Sequence, residues 1–150
     1  MPLRCRSRTG IDLVVAYNSL MDVADMPAAV REAARVLDAG GRFCICVTHP
    51  LSNAGGFSGE EPDAAFIIDD SYLEQRPFEG YGERGGLRIT FRGQCYPLEA
   101  YARALEGAGF LIETLREPAA SAQVAAEQPS YRRWQRLPMY LHLRAVKPKS

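Results

Sequence analysis

The hydrophobic pattern divides the first third of the chain into a strand, a helix and a second strand. Residues 11–17, IDLVVAY, are almost continuously apolar and rich in β-branched side chains, which is typical of a strand covered on both faces. Residues 42–48, RFCICVT, have a similar character. Between them, over residues 26–38, apolar side chains recur at helical spacing with charged side chains opposite. The pattern predicts a right-handed βαβ unit over residues 11–48, with two adjacent parallel strands.

Residues at the ends of the predicted helix set its expected limits. Asp25 is a candidate N-cap, and Pro27 suits the first helical turn. At the other end, Gly40 is expected to form a left-handed C-cap, because glycine has no Cβ to clash in that conformation. The helix should therefore end sharply and turn the chain into the second strand.

The middle of the chain, residues 51–93, has a less regular pattern. Glycine- and serine-rich stretches predict loops, and residues 74–86 are assigned to one of them. Residues 87–92 alternate apolar and polar side chains, which predicts a strand with one solvated face. We interpret this region as an irregular insertion, or lid, above the sheet.

Residues 97–148 predict a helix followed by closing strands. Pro97 should open the helix and Gly109 should end it. The apolar stripe of this helix is predicted to comprise Leu98, Tyr101, Leu105 and Ala108. Two strands follow, and the last alternates around His142. No repeat or linker divides the sequence, so residues 1–150 are expected to form a single domain.

Composition excludes several classes of protein. The 150 residues contain 18 basic and 18 acidic side chains, so the net charge is zero, which argues against a nucleic-acid or anionic-membrane partner. No apolar stretch approaches the roughly 20 residues of a membrane helix, and the first ten residues do not form a signal peptide. We expect a soluble, cytoplasmic protein. The mixed basic and aromatic residues 131–136 are interpreted as a solvated surface rather than an RNA contact.

Two short patterns resemble a dinucleotide-binding motif and a zinc site, but the neighbouring sequence favours neither. Residues 80–85, GYGERG, match the G-x-G-x-x-G fingerprint, but neither a preceding strand nor a following helix is predicted. Cys44, Cys46 and His49 are close in sequence, but no second cysteine pair completes a zinc site. We therefore predict no metal site and interpret the two cysteines as small buried side chains.

Polar residues follow both strands of the predicted βαβ unit. His49 comes after the second strand, and Tyr17 and Asn18 end the first. Ligands of open α/β sheets bind beyond the carboxyl ends of the strands, so parallel pairing would place the three residues on one rim. The functional interpretation of His49 competes with a simpler one, in which its side chain only hydrogen-bonds its own loop.

The order of these segments resembles the second half of class I S-adenosylmethionine-dependent methyltransferases of the small-molecule type. Residues 12–43, DLVVAYNSLMDVADMPAAVREAARVLDAGGRF, are similar to the fourth strand, the next helix and the fifth strand of that family. Residues 96–118 resemble its following helix and sixth strand, and residues 136–148 its closing antiparallel strand. The resemblance implies an α/β, Rossmann-like fold with strands in the family's order four, five, seven and six.

The resemblance also implies that part of the family's cofactor site would lie before residue 11. This part comprises the glycine-rich loop and the acidic residue that holds the ribose. We therefore expect a partial domain that lacks the N-terminal cofactor-loop half, as a truncated or split enzyme that is inactive alone. The isolated chain should bind S-adenosylmethionine weakly or not at all.

The resemblance also implies roles for individual residues, according to their positions in the matched segments. Ala16, Tyr17 and Asn18 match the segment that lines the cofactor, and Met21 would shield it. His49 matches the acceptor rim, where it would act as a general base while Asn18 orients the acceptor.

The expected function is methyl transfer from S-adenosylmethionine to a small molecule. One alternative is a non-catalytic remnant or partner-binding module of the same fold, and a less favoured one is a fragment of a nicotinamide-dependent oxidoreductase. Without a neighbour, residues 11–17 would form an apolar sheet edge. We expect that edge to pair with an N-terminal half or with a second copy of the chain.

Overall fold

A computed structural model describes residues 10–149, apart from the side chain of Arg84. Its helices are α1 Met26–Val36, α2 Leu98–Gly107 and α3 Ala122–Glu127. Its strands are β1 Ile11–Tyr17, β2 Leu37–Thr48, β3 Gly55–Phe57, β4 Phe66–Ile68, β5 Arg76–Arg84, β6 Leu87–Cys95, β7 Leu111–Arg116 and β8 Tyr140–Val146. Short 3₁₀ helices cover Leu20–Asp22, Pro50–Asn53 and Pro129–Gln135.

Four of these strands form the main sheet, in the order β1-β2-β8-β7. β1 and β2 are parallel and are joined by α1, which confirms the predicted βαβ unit. β8 runs antiparallel to both β2 and β7. This order is the four-five-seven-six order predicted from the sequence.

One face of the sheet forms the core with α1 and α2. Alternate side chains of the central strands, such as Phe43 and Leu141, point to this face and are buried. Met26 and Val30 of α1 and Leu105 of α2 meet them there. Full burial of such a side chain is worth about 1.5–3 kcal/mol, so this helix-covered face holds the sheet in place.

The opposite face of the sheet, which we call the outer face, is largely open. Leu13, Val15 and Tyr17 of β1 point to it and are all more than half exposed. Cys44 and Cys46 lie next to them on β2 and are only half-buried, so the prediction that they are buried side chains was wrong. The reason is that no described helix or strand covers this side of β1 and β2.

The helix of the βαβ unit begins as predicted but ends early. The side chain of Asp25 accepts a hydrogen bond from the Ala28 amide at 2.8 Å, as an N-cap does. At the other end, the Lys147 ammonium donates to the carbonyl oxygens of Ala34 and Leu37, both at 2.7 Å, and thereby satisfies groups that a longer helix would have bonded.

Gly40 is therefore not the helix C-cap, and that prediction was wrong. It lies inside β2 with φ +86°, and its amide donates to the carbonyl of Lys147 at 2.7 Å. It lies between Leu37 and Arg42, where the pairing of β2 with β1 shifts register, and glycine adopts the positive φ there without a Cβ clash. The prediction that Gly109 ends the second helix is confirmed. α2 ends at Gly107, Ala108 is its C-cap, and Gly109 follows with φ +79°.

Residues 74–86, predicted to be a loop, contain strand β5. β5 pairs with β6 along its whole length, from Arg76 opposite Cys95 to Arg84 opposite Leu87. The connecting residues Gly85 and Gly86 both have positive φ, as a tight two-residue hairpin turn requires. The GYGERG segment is thus a strand that leads into a turn, and a second strand follows it rather than a helix.

None of residues 131–136, predicted to be a solvated surface, is buried, and some of their side chains also pack against the β3–β4 hairpin. The Trp134 ring packs edge-on against Phe57 with the ring centroids 4.8 Å apart. The guanidinium groups of Arg133 and Arg136 also lie over the Phe57 ring. The basic and aromatic residues of this segment therefore have a structural role.

Candidate functional site

The carboxyl ends of β1 and β2 meet at one edge of the sheet. Tyr17 is level with Cys46 in the strand pairing, and the next amide, that of Asn18, donates to the Cys46 carbonyl at 2.7 Å. His49 follows β2 directly. Parallel pairing therefore places Tyr17, Asn18 and His49 along the same rim.

Asn18 has an unusual backbone conformation and an unpaired polar atom. Its φ of +45° is left-handed, which asparagine tolerates better than most residues. Its side-chain Oδ1 is buried and accepts no hydrogen bond from the described residues. A buried acceptor without a partner costs about 1–3 kcal/mol, so this oxygen is suited to receive a donor from a bound molecule.

Three other residues predicted to line the cofactor lie in different environments. Ala16 points into the core and is buried, so it offers only backbone atoms to the rim. Tyr17 points to the outer face with 68% of its surface exposed. Met21 lies in the 3₁₀ helix Leu20–Asp22, is half-buried, and lines a cavity described below. Of the four predicted cofactor residues, Asn18 has an unpaired side-chain acceptor and Met21 lines a cavity.

The ring nitrogens of His49 both have partners. The Leu51 amide donates to Nδ1 at 3.2 Å, and Nε2 lies 2.9 Å from a carboxylate oxygen of Glu117. Because Nδ1 acts as an acceptor, the neutral ring carries its proton on Nε2 and donates it to Glu117. His49 is 6% exposed, so these contacts fix its ring at the end of β2 and leave neither nitrogen free.

A cavity of about 320 Å³ lies between the rim, α2 and the β5–β6 hairpin. Met21 and Thr48 line it from the ends of the 3₁₀ helix and β2, and Ser52 and Asn53 line it from the next 3₁₀ helix. Residues from α2 and the hairpin close the other sides, namely Tyr101, Phe78, Phe91, Arg92, Gly93 and Gln94. The volume falls within the usual range for small-molecule sites.

The hairpin is held against the rim by a close backbone approach. A Cβ atom at Gly93 would lie 2.8 Å from the Met21 carbonyl oxygen, which real Cβ contacts do not tolerate. In the strand pairing, Phe78 lies opposite Gly93, and Phe91 lies opposite Gly80. Opposed residues of an antiparallel pair share a face, so both phenylalanines are on the hairpin face that carries Gly93.

Tyr101 is a buried wall of the cavity with an unpartnered hydroxyl. The residue is 2% exposed, and its hydroxyl makes no hydrogen bond to the described residues. Burial raises the pKa of Tyr101 far above its ordinary value, with smaller effects from Tyr96, Cys95 and Asp22. The phenol is therefore neutral and can donate to, or accept from, a molecule in the cavity.

The charged residues that line the cavity are solvated. Asp22 and Arg92 are both exposed, and Arg92 donates to a carboxylate oxygen of Glu79 at 2.7 Å. Their charges are opposite in sign. The other lining side chains are apolar or neutral hydrogen-bonding groups.

This cavity could not be identified from the amino-acid sequence. Tyr101 was assigned to the apolar stripe of α2, and its burial there is correct. Helical spacing cannot reveal that a buried tyrosine also forms part of a cavity wall. Residues 74–86 were predicted to be a loop, so neither strand β5 nor the contribution of Phe78 to the cavity wall could be anticipated.

A second recess lies on the outer face. It is a shallow groove of about 250 Å³ beside Val15, Cys44, Cys46 and His142. At its margin, Glu113 accepts from Arg42 Nε at 2.9 Å and from Arg144 Nε at 3.0 Å. The outer face thus has an apolar half over β1 and β2 and a charged half over β8 and β7.

Residues 10–149 contain no cluster of three or more His, Cys, Asp or Glu side chains placed to hold a metal ion. Within the same range, no helix is long and apolar enough to cross a membrane.

Comparisons with known proteins identify the fold. A family model described as a methyltransferase domain matches residues 7–45, about a quarter of the chain. A comparison with curated proteins gives no match. Solved structures match over most of the chain, and the three described next include a complex with S-adenosylmethionine.

An S-adenosylmethionine-dependent methyltransferase from Mesorhizobium loti superposes with a TM-score of 0.70 at 23% identity, over 91% of this chain and 62% of that one. A proposed enzyme of the same type from Listeria monocytogenes gives 0.73 at 18% identity, over 93% of this chain and 63% of that one. The glycopeptide N-methyltransferase MtfA, complexed with S-adenosylmethionine, gives 0.51 at 14% identity, over 93% of this chain and 55% of that one.

These findings confirm the predicted resemblance. The chain has the α/β fold of class I S-adenosylmethionine-dependent methyltransferases, and the segment that the family model matches covers β1, α1 and β2 up to residue 45. The chain spans less than two thirds of the length of the structures it matches.

Proposed function

We propose that this chain forms part of an enzyme that transfers a methyl group from S-adenosylmethionine to a small-molecule acceptor. The observation that carries the proposal is the position of the cavity within a methyltransferase fold. It adjoins the carboxyl ends of β1 and β2, where ligands of such sheets bind, and Asn18 places an unpaired buried acceptor on the same edge.

The residues on the rim fit S-adenosylmethionine as a ligand. Its amino and hydroxyl groups are hydrogen-bond donors, which the Oδ1 atom of Asn18 lacks. The half-buried thioether of Met21 gives an apolar surface beside the cavity. When bound, the cofactor supplies an electrophilic methyl group on its sulfonium sulfur.

The contribution of this chain to the reaction is then mainly positioning. Asn18 would orient the bound groups at the rim, and the neutral walls of the cavity would hold the acceptor beside them. Well-oriented reactants gain much of the rate enhancement from geometry alone.

His49 fits a positioning role better than that of the general base predicted from sequence. Action as a base at Nδ1 would require the hydrogen bond from Leu51 to break, and Nε2 already donates to Glu117. We propose that His49 holds the segment after β2, including Pro50–Asn53, in the conformation that forms one wall of the cavity.

The open outer face supports a proposal about partners. Its exposed apolar residues on β1 adjoin a strand edge that pairs with nothing in residues 10–149. We propose that further polypeptide, or a second copy of the chain, covers this region in the active enzyme. On this basis the 150 residues alone should be inactive and should bind the cofactor only weakly.

The exposed outer face also favours a second candidate function. If the chain has no catalytic partner, the same apolar surface fits a non-catalytic module that binds another protein. Such a module would not need Asn18 for ligand binding. The family match and the fold favour both methyltransferase-related interpretations over a nicotinamide-dependent oxidoreductase.

Titration calorimetry with S-adenosylmethionine tests the proposal. The isolated chain should bind with a dissociation constant weaker than about 1 µM, which corresponds to about −8 kcal/mol. Asn18→Gly, which removes Oδ1 but tolerates the positive φ, should abolish the binding. Gln123→Ala removes an exposed amide of α3 and should leave it unchanged. Equal binding by all three proteins would refute the proposed site.

A further inference from the structure

We propose that the cavity beneath the β5–β6 hairpin accepts an uncharged, flat aromatic molecule of about two fused rings that carries a hydroxyl or amino group. Phe78 and Phe91 would contact its rings, and Tyr101 would hydrogen-bond its polar group. The inference rests on the proposed function, because it names the class of acceptor for that site.

The size of the cavity sets the size of the molecule. An apolar cavity of about 150 Å³ in a protein core is large enough to bind benzene. The cavity here is about 320 Å³, roughly twice that volume. It therefore accommodates a bicyclic ring system.

The hairpin presents aromatic surface that the protein itself does not cover. Phe78 is 45% exposed and Phe91 is 54% exposed, although both lie on the hairpin face that Gly93 brings against the rim. Glycines stand opposite both phenylalanines in the strand pairing. The Phe78 ring lies over Gly80, since a Cβ there would be 2.6 Å from Cζ of Phe78. The exposed surface of both rings is available to an aromatic ligand, which would contact it by stacking or edge-on.

The polar groups of the cavity favour a neutral molecule. Its buried wall supplies the neutral hydroxyl of Tyr101, and the charged residues Asp22 and Arg92 are exposed to solvent. A charged ligand would lose its hydration in the cavity without a buried counter-ion, which is costly. A hydroxyl or amino group would instead pair with the Tyr101 hydroxyl.

The position of the cavity suits transfer of a group from the rim. Two of its wall residues are close to the rim in sequence, because Thr48 is the last residue of β2 and Met21 lies three residues after Asn18. A molecule held by the hairpin would therefore lie beside the edge at which Asn18 is proposed to bind the methyl donor.

Two matched probes test the inference on the 150-residue chain. 2-Naphthol is a neutral bicyclic compound with a hydroxyl group, and 2-naphthoate has the same rings with a negative charge. Titration of the ¹⁵N-labelled chain with 2-naphthol should shift the amide signals of Phe78, Phe91 and Tyr101. 2-Naphthoate should bind at least about tenfold more weakly, because its charge is not compensated.

Variants assign the contacts. Tyr101→Phe removes only the hydroxyl and should weaken 2-naphthol binding about three- to tenfold, as expected for one neutral hydrogen bond. Tyr131→Phe makes the same change outside the cavity and should have no effect. Phe91→Ala alters an exposed hairpin position, so the fold should survive while binding is lost.

The inference is overturned if both probes bind equally, if neither binds, or if Tyr101→Phe and Phe91→Ala bind as the wild type does. Its failure can be distinguished from failure of the proposed function. Binding of 2-naphthol at the cavity does not require the methyl donor, so it would support the inference even if the Asn18→Gly experiment refuted the cofactor site.

Discussion

Nε2 of His49 lies 2.9 Å from Oε1 of Glu117 and thereby joins the segment after β2 to the segment after β7. The two strands are not neighbours, because β8 lies between them. The Leu51 amide also bonds to Nδ1, so the ring fixes its own segment as well as joining the two segments at the carboxyl end of β2.

Replacement of His49 should therefore affect stability before it affects chemistry. His49→Ala leaves the Leu51 amide without its acceptor and should lower the free energy of unfolding by about 1–3 kcal/mol. His49→Asn keeps a side-chain acceptor at the start of the 3₁₀ helix and should recover part of that loss. Urea unfolding measures both variants. If His49→Ala were as stable as the wild type, these contacts would not hold the segment.

A methyl group added at Gly93 should displace the hairpin. Its Cβ would lie 2.8 Å from the Met21 carbonyl oxygen, so Gly93→Ala should cost about 1–3 kcal/mol and shift the amide signals of Met21 and Asp22. Gly107→Ala is the control, because nothing lies within 4 Å of its Cβ and the residue ends α2. That variant should be neutral or slightly stabilising. Equal effects of the two substitutions would contradict the close approach.

The fold of the first third could be predicted because its local patterns agree with its tertiary contacts. In α1, the spacing of apolar residues marks the face that the structure buries. The strand β1 was correctly predicted, but the expectation that both its faces are covered was wrong, because only Ala16 of β1 is buried. The end of α1 could not be predicted, because it depends on Lys147, which is distant in sequence and bonds the last carbonyls of the helix.

The hairpin was missed for a different reason. Pro77, Gly80 and Gly82 interrupt the alternation of β5, and its pairing with β6 supplies the regularity that the local sequence lacks. The site was only partly predictable for the same reason. Asn18 and Met21 could be proposed from the family resemblance, whereas the place of Tyr101 in the cavity wall is evident only in the packed structure.

The ion pairs of Glu113 should make the charged half of the outer face sensitive to acid. Hydrogen bonds and charge from Arg42, with a further contribution from Arg144, hold the pKa of Glu113 below its ordinary value. A carboxyl group with a lowered pKa in the folded state stabilises the protein above its ordinary pKa and loses that contribution as the pH falls through the lowered value.

Glu113→Gln should accordingly be less stable than the wild type at neutral pH, and the difference should disappear in acid. Urea unfolding at several pH values measures this dependence. Glu106→Gln, at an exposed position of α2, should show no such pH-dependent difference. A difference between Glu113→Gln and the wild type that did not change with pH would contradict the role of the carboxylate charge.

The open half of the outer face should cause the isolated chain to associate. Val15 is 61% exposed on β1, and burial of such a side chain is worth about 1.5–3 kcal/mol. Val15→Arg should therefore reduce self-association at micromolar concentrations, as measured by sedimentation velocity. Leu87→Arg makes a similar change at the hairpin turn and should not alter it. A wild-type chain that sediments as a monomer would show that this face does not drive association.

The central claim is that the methyl donor binds at the carboxyl ends of β1 and β2. Its most direct test is titration of the ¹⁵N-labelled chain with S-adenosylmethionine at concentrations up to the millimolar range, at which weak binding is still detected. We predict amide shifts at Asn18 and Met21 that are lost in Asn18→Gly. An absence of shifts, or shifts confined to the outer-face groove around Cys44, Cys46 and His142, would contradict the account.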